Sequence, residues 1–319
     1  MDLDVVFLGT GGSMPSARRN TASVLVRRGG DRLLFDCGEG TQRQLQRSVG
    51  LIAIDSIFIT HLHADHYLGL PGLLKSYDLG DRVEPLDIYG PPGLVELFAT
   101  IKRIVGRPGY EVALHELNRG ESVERDGYVV EPFDADHRIV ANGYALYEDA
   151  RPGRFDPDAA RALGVEPGPA FGALQRGETV PGADGEVRPE QVMDPDRPGR
   201  KLVITGDTRP CEETRIAAHE AELLVHDSTF TAAEAERAEL TGHSTCTEAA
   251  ELAAAAGVGM LALVHVSSRH FIPDVLTEAR AAFAPTVAPR DFDVIEIPLP
   301  ERGEPRLIEN GAREPAAKP

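Results

Sequence analysis

Thr60-His61-Leu62-His63-Ala64-Asp65-His66 sets three imidazoles and one carboxylate within six residues. It follows 55–60, an apolar and β-branched run that reads as a buried strand, and precedes 67–74, which reads as a turn or a helix start. Strand side chains alternate, so His61 and His63 leave an extended segment on the same side. A strand end is also a rigid place from which to aim ligands. The chain must then turn, so that Asp65 and His66 either join the first two or reach a second ion nearby. Four ligand-type residues this dense have little use in a plain polar loop.

The placement recurs along the chain. Runs at 128–133, 201–205 and 260–264 read as strands, and His137, Asp207 and His265 follow at or near their ends. With the first motif this gives seven candidate ligands: His61, His63, Asp65, His66, His137, Asp207 and His265. Five imidazoles and two carboxylates suit two Zn²⁺ ions, with Mn²⁺ or Fe²⁺ as substitutes. Asp207 stands alone between two groups of histidines and is the natural bridge. Two ions about 3.5–4 Å apart point to metal-assisted hydrolysis. That chemistry also needs a proton donor for the leaving oxygen. His243 is the best remaining candidate, after Gly242 and before a helix that Ser244 or Thr245 can cap with Glu248 near its third position. Asp227 is a candidate partner for His243, and His226, within a strand, reads as a packed or supporting group. His115 reads as packed or hydrogen-bonded, Cys37 as a small buried residue, and the glycines at 9–12 as a turn.

The 319 residues, 42% of them hydrophobic, can bury a sizeable core, with no Trp and little aromatic content. No apolar run approaches the roughly 20 residues of a membrane span. The acidic start leads into a strand and does not read as a signal peptide. Cys37, Cys211 and Cys246 are scattered and odd in number, which suggests a reducing compartment and no cysteine-type zinc site. A net charge of −18 argues against broad nucleic-acid binding, though not against a local basic patch. Segment 1–50 holds seven arginines against five acids, so the N-terminal part is relatively basic.

The composition changes between 150 and 199, where Pro, Gly, Arg and acids crowd a stretch without a clear core-facing pattern. Strand–helix alternation resumes after it, so it reads as an arm inserted within one domain. Domain organisation is expected as a single catalytic domain over 1–300, with the arm at 150–199 and a poorly ordered tail at 301–319.

Taken together, 35–42, 60–70, Gly206-Asp207-Thr208, His243-Ser244-Thr245 and His265-Val266-Ser267-Ser268-Arg269 resemble the ribonuclease Z family of the metallo-β-lactamase superfamily. The arm, with Pro167-Gly168-Pro169-Ala170-Phe171-Gly172, resembles that family's flexible exosite arm for the tRNA elbow. The resemblance covers about 5–292 in order and spacing. It implies an α/β (α+β) fold, a four-layer αββα sandwich. One zinc would sit on His61, His63 and His137, the other on Asp65, His66 and His265, with Asp207 bridging. Asp65 would orient or deprotonate the attacking water, and His243 would protonate the leaving oxygen. The implied enzyme is a cytoplasmic homodimer acting on precursor tRNA, with no membrane or DNA partner, that cuts after the discriminator nucleotide and leaves a 3′-hydroxyl. Arg18, Arg19, Asn20, Gly168, Pro169 and Phe171 would contact the RNA.

Three departures stand out. Ala17 occupies the place of the lysine in the family's Pro-x-Lys-x-Arg-Asn loop, which removes a cation. His226-Asp227-Ser228-Thr229 replaces His-Glu-Ala-Thr. Residues 151–200 carry seven arginines against nine acids, so an RNA contact there rests on placement rather than on bulk charge. The alternative is another binuclear hydrolase of the same fold, such as a small-molecule phosphodiesterase or an arylsulfatase-like enzyme. Small substrates need no projection of this size. A non-catalytic RNA-binding relative would have lost ligands, and none is missing.

Overall fold

The structure is a computed structural model that describes residues 1–310. Chain contacts divide it into two compact units, Met1–Tyr147 with the segment from Arg200 onward, and Glu148–Gly199.

The first unit holds two mixed sheets. In the first, the strand order is Arg306–Ile308, Val294–Glu296, Leu3–Gly9, Ser23–Arg28, Asp31–Phe35, Ser56–Phe58, Leu86–Gly90 and Val112–Glu116. Pairing is antiparallel up to Asp31–Phe35 and parallel beyond it. The second sheet runs Thr286–Val287, Met260–Val264, Leu223–Asp227, Lys201–Ile204, Asn142–Glu148, Tyr128–Asp134 and Val123–Arg125.

Period-2 alternation assigns the faces. Val5, Phe7, Val24, Val26 and Phe35 of the first sheet share a buried cluster with Val130, Tyr144, Leu146, Ile204 and Val225 of the second. Val6, Leu8, Leu25 and Leu34 point the other way, into a cluster with the helices Thr41–Ser48, Leu70–Leu79 and Leu94–Val105. The outer face of the second sheet packs on Glu212–Ala217, Cys246–Ala256 and Ile272–Ala282, largely through alanine. Layers of helix, sheet, sheet and helix result, as expected. Strands buried on both faces read as continuous apolar runs, which is why 5–8 and 260–264 were legible. Six aromatic side chains lie in the cluster where the sheets meet. Phe58 stacks on Phe35 and Tyr89 with centroids 5.0 and 4.9 Å apart and meets the edge of Tyr144 at 5.3 Å.

Two expectations need correction. The tail is ordered at its start, because Arg306–Ile308 pairs antiparallel with Val294–Glu296 and gives that edge a further strand. Three residues are too short for periodicity to register. The rest of the expected tail, 311–319, lies outside the described residues. The segment 148–199 also has a core of its own. Ala160, Val165, Leu174, Val180, Val187 and Val192 are buried together, joined by the helices Pro157–Ala162 and Pro169–Gln175 and a two-residue hairpin ladder. Its apolar residues come singly from turns and short elements, so neither helical nor strand spacing reveals them.

Candidate metal centre

Each candidate ligand leaves the end of a regular element. His61 and His63 follow Ser56–Phe58, and a short helix Ala64–Tyr67 turns the chain so that Asp65 and His66 face back. His137 follows Tyr128–Asp134, Asp207 follows Lys201–Ile204, and His265 follows Met260–Val264. Gly206 sits at φ 64°, and a Cβ there would lie 2.7 Å from that of Thr60, so glycine lets the Asp207 turn close against the first motif. His265 and Asp36 are non-glycine residues at φ 58° and 57°, a strained backbone of the kind retained at functional positions.

The structure brings all seven expected ligands together in two groups. In the first, His61 Nε2 and His137 Nε2 lie 3.0 and 3.1 Å from His63 Nδ1, and His61 Nε2 lies 3.5 Å from Asp207 Oδ2. In the second, Asp65 Oδ2 is 3.7 Å from His66 Nε2 and 3.3 Å from His265 Nε2. Asp207 Oδ1 is 3.3 and 3.4 Å from those same two nitrogens. Asp207 thus offers one oxygen to each group, as a bridge requires.

The outward nitrogens show what the inward ones are for. Thr60 Oγ1 donates to the Asp36 carboxylate, so at 3.0 Å it accepts from His61 Nδ1–H. Thr229 Oγ1 donates to Asp227 at 2.6 Å and accepts from His265 Nδ1–H at 2.8 Å. His66 Nδ1–H donates to Asp36 at 2.7 Å, and His137 Nδ1–H to the Gly242 carbonyl at 2.6 Å. With each proton held outside, the four Nε2 atoms present lone pairs inward. Buried His66 Nε2 and Asp207 Oδ1 have no hydrogen-bond partner. Converging lone pairs on unsatisfied buried atoms fit divalent cations, and the nitrogen-rich donor set fits zinc or a neighbouring transition metal.

Electrostatics agree. Burial lowers the proton affinity of His61, His63 and His137, strongly so at His61, where neighbouring His66 adds to it. At His66 and His265 burial acts in the same direction, but the carboxylates of Asp207, with Asp36 on the first and Asp65 on the second, outweigh it and draw positive charge to this side of the centre, the charge a divalent cation would bring. Burial works against an ionised Asp207, yet His265, His66 and His61 hold its carboxyl well below the usual range.

His243 stands beside this centre, within ligand distance of Asp207, Asp227 and His265. Its Nδ1 lies 2.8 Å from Asp227 Oδ2 and 3.8 Å from Asp207 Oδ2. Both Asp227 oxygens are taken, one by Thr229 and the other by His243 and the Thr208 N–H, so Asp227 serves as an orienting partner. Burial opposes protonation of His243, but the charge and hydrogen bond of Asp227 push it up to about 9. Thr245 caps the helix Cys246–Ala256 and Glu248 closes a capping box, which anchors His243 two residues upstream. His226 is buried and points Nδ1 at the Asp227 carbonyl at 2.8 Å. His115 stacks on Tyr89 and bonds Asp87 at 2.8 Å.

Sequence reasoning gave no role to Asp36, Thr60 or Thr229. Asp36 also accepts the Thr60 N–H at 2.8 Å, so one carboxylate fixes both the strand end and His66. The only available signal was its place in Phe35-Asp36-Cys37-Gly38-Glu39-Gly40. Such outer partners are worth roughly 10–100-fold in metal affinity. Asp36→Asn, which keeps shape but loses charge, should weaken metal binding by about tenfold in chelator competition. Affinity within twofold of the parent would remove Asp36 from this role.

Of the expected RNA contacts, Arg18 is exposed. Arg19 is braced internally, donating to Thr10 Oγ1 at 2.6 Å and the Pro289 carbonyl at 2.9 Å, and Asn20 Nδ2 donates to the Glu39 carbonyl. Gly168 and Pro169 are exposed, whereas the Phe171 ring packs on Phe155 at 4.9 Å within the core of 148–199.

Residues 17–265 match the family model of the metallo-beta-lactamase superfamily. Ribonuclease Z of Natronomonas pharaonis is 48% identical over 307 residues, covering 94% of this chain and 100% of that protein. Ribonuclease Z of Myxococcus xanthus is 48% identical over 302 residues, covering 93% and 98%. The crystal structure of the short form of human tRNase Z superposes with a TM-score of 0.68 at 29% identity, covering 92% of this chain and 99% of that one.

Proposed function

The chain belongs to the ribonuclease Z family of the metallo-β-lactamase superfamily, and from that premise we propose that it removes the 3′ trailer of precursor tRNA with two zinc ions, cutting after the discriminator nucleotide and leaving a 3′-hydroxyl. It is a metal-dependent endoribonuclease of tRNA 3′ processing. The observation that carries the finer chemistry is the split of Asp207 between two ligand groups, with His243 alongside.

His61, His63 and His137 would hold one ion and Asp65, His66 and His265 the other, with Asp207 shared. Two divalent ions supply an acidified water as nucleophile and positive charge against the phosphate oxygens. The residues of the chain perform the remaining work. Asp65, its carboxyl kept ionised by His265 and His66 against the cost of burial, orients the water and accepts its proton. The Ser13 N–H, 2.9 Å from Asp65 Oδ2, holds that carboxylate in place. As the new P–O bond forms, the bond from phosphorus to the 3′ oxygen breaks, and His243 gives that oxygen its proton. Asp227 stabilises the protonated imidazole and sets which nitrogen donates. Mn²⁺ or Fe²⁺ suits the same ligands.

The inserted arm 150–199 acts as the exosite for the tRNA elbow, with Gly168 and Pro169 exposed to touch it. The enzyme works as a homodimer, one subunit's arm serving the other's site. No helix among the described residues is long and apolar enough to cross a membrane. A role in tRNA processing fits a cytoplasmic enzyme. With Zn²⁺ or Mn²⁺, purified protein should trim a trailer-bearing precursor to the discriminator base. No trimming, with hydrolysis of a simple phosphodiester retained, overturns the reading in favour of a small-substrate hydrolase. Deleting 152–198 should abolish precursor cleavage and keep phosphodiester hydrolysis. Equal loss of both would make the segment structural.

A further inference from the structure

A groove of about 1330 Å³ is lined by the loop 15–20, the helix Thr41–Ser48, the segment 267–273 and residues 290–292. Two of its walls begin at the metal centre. The first leaves it at Ser13, whose N–H reaches Asp65, and the second leaves it at His265. Gly11 and Val266 are bridged, so both walls start side by side.

The lining holds five arginines against two acids in a chain of net charge −18. One acid, Asp291, is already satisfied by Thr10, Asn20 and Gln44. Arg19 is braced inside, while Arg18, Arg43, Arg47 and Arg290 are exposed. Between these cations lie two phenylalanines. Phe271 is 67% exposed, and Phe292 carries the Arg47 guanidinium 4.8 Å above its ring. Guanidiniums tracking a backbone beside ring faces that take bases are the physics of single-strand binding. A duplex keeps its bases stacked on one another and has no use for an exposed ring. On the tRNA side of the cut the acceptor duplex begins after one nucleotide, whereas the trailer side offers free single strand.

We propose that this groove binds the single-stranded RNA on the 3′ side of the cut, with phosphates on Arg43, Arg47 and Arg290 and a base on Phe271. The proposal rests on the reading of the enzyme as a tRNA 3′-processing nuclease. It makes cleavage efficiency depend on trailer length.

The test compares two precursors of one tRNA, with trailers of one and of about twelve nucleotides, and measures binding of the free unstructured trailer oligonucleotide by fluorescence anisotropy. In the parent, kcat/KM should be higher for the long trailer. In R43A/R47A and in Phe271→Ala, the long-to-short ratio of kcat/KM should fall at least about fivefold, and the oligonucleotide should bind correspondingly more weakly. The salt slope of binding should shrink by about 1.4 in the double variant. Equal losses on both precursors would place these residues against the tRNA body, and an unchanged ratio would leave the groove without RNA. Either result overturns the proposal. If the parent cuts neither precursor, the nuclease reading fails by itself. The anisotropy then still decides the groove, since loss of binding in the variants supports it and unchanged binding overturns it.

Discussion

Asp207→Asn should leave at most one metal equivalent bound and cut precursor cleavage by at least about 10³-fold, since losing a metal forfeits several kcal/mol of transition-state stabilisation. The size follows from position. Asp207 is buried, and its two oxygens face Nε2 of His61 on one side and Nε2 of His66 and His265 on the other. An amide keeps the shape but offers one acceptor and no charge, so one group loses its shared ligand while three inward imidazoles lose their counter-charge. Metal content by elemental analysis and single-turnover cleavage check it. Two equivalents retained would show that the ions are held without a shared carboxylate, and would end its assignment as the bridge.

The second large effect is expected from His243→Ala, which should slow precursor cleavage by about 10²–10⁴-fold with metal content unchanged. His243 is tied to Asp227 at 2.8 Å and stays 3.8 Å from Asp207, and in its proposed role as proton donor its loss should leave the ions in place. The leaving group supplies a control. A ribose 3′ oxygen is a poor leaving group without a proton, whereas a nitrophenolate departs unaided. Hydrolysis of bis-(p-nitrophenyl) phosphate should therefore lose less than about tenfold, well under the general-acid range. Equal losses on both substrates would exclude His243 as the acid, and lost metal would make it a ligand.

Parts of this site were legible because their information is local. His61, His63, Asp65 and His66 crowd into six residues, and His137, Asp207 and His265 each follow a run that only a strand explains. The Thr245 and Glu248 capping box has a fixed spacing and was readable for the same reason. The supporting residues were not. Asp36 reaches His66 across 30 positions, and Thr229 reaches His265 across 36. An aspartate at a strand end or a threonine after an aspartate has many ordinary uses, and no local spacing singles out the one that matters. The same holds for Val165, Val180 and Val187, which build the small core of 148–199 from isolated positions.

Ligand chemistry, strand–helix order and the place of the inserted segment were therefore determined by sequence alone, since each depends on residue type at short range. Tertiary structure decided which carboxylate oxygen faces which group of histidines, which nitrogen of each imidazole points inward, and that Arg43, Arg47, Arg290 and Phe271 share one groove. These facts depend on atoms far apart in the chain meeting within about 3 Å, the reach of a hydrogen bond. Two buried sheets meeting at one rim produce that proximity, and the spacing of residues along the chain does not encode it. For the stretch 60–66, the fold turned a dense set of ligands into one half of a shared centre, with Asp207 and His243 brought to it from the second sheet and the turn before a distant helix.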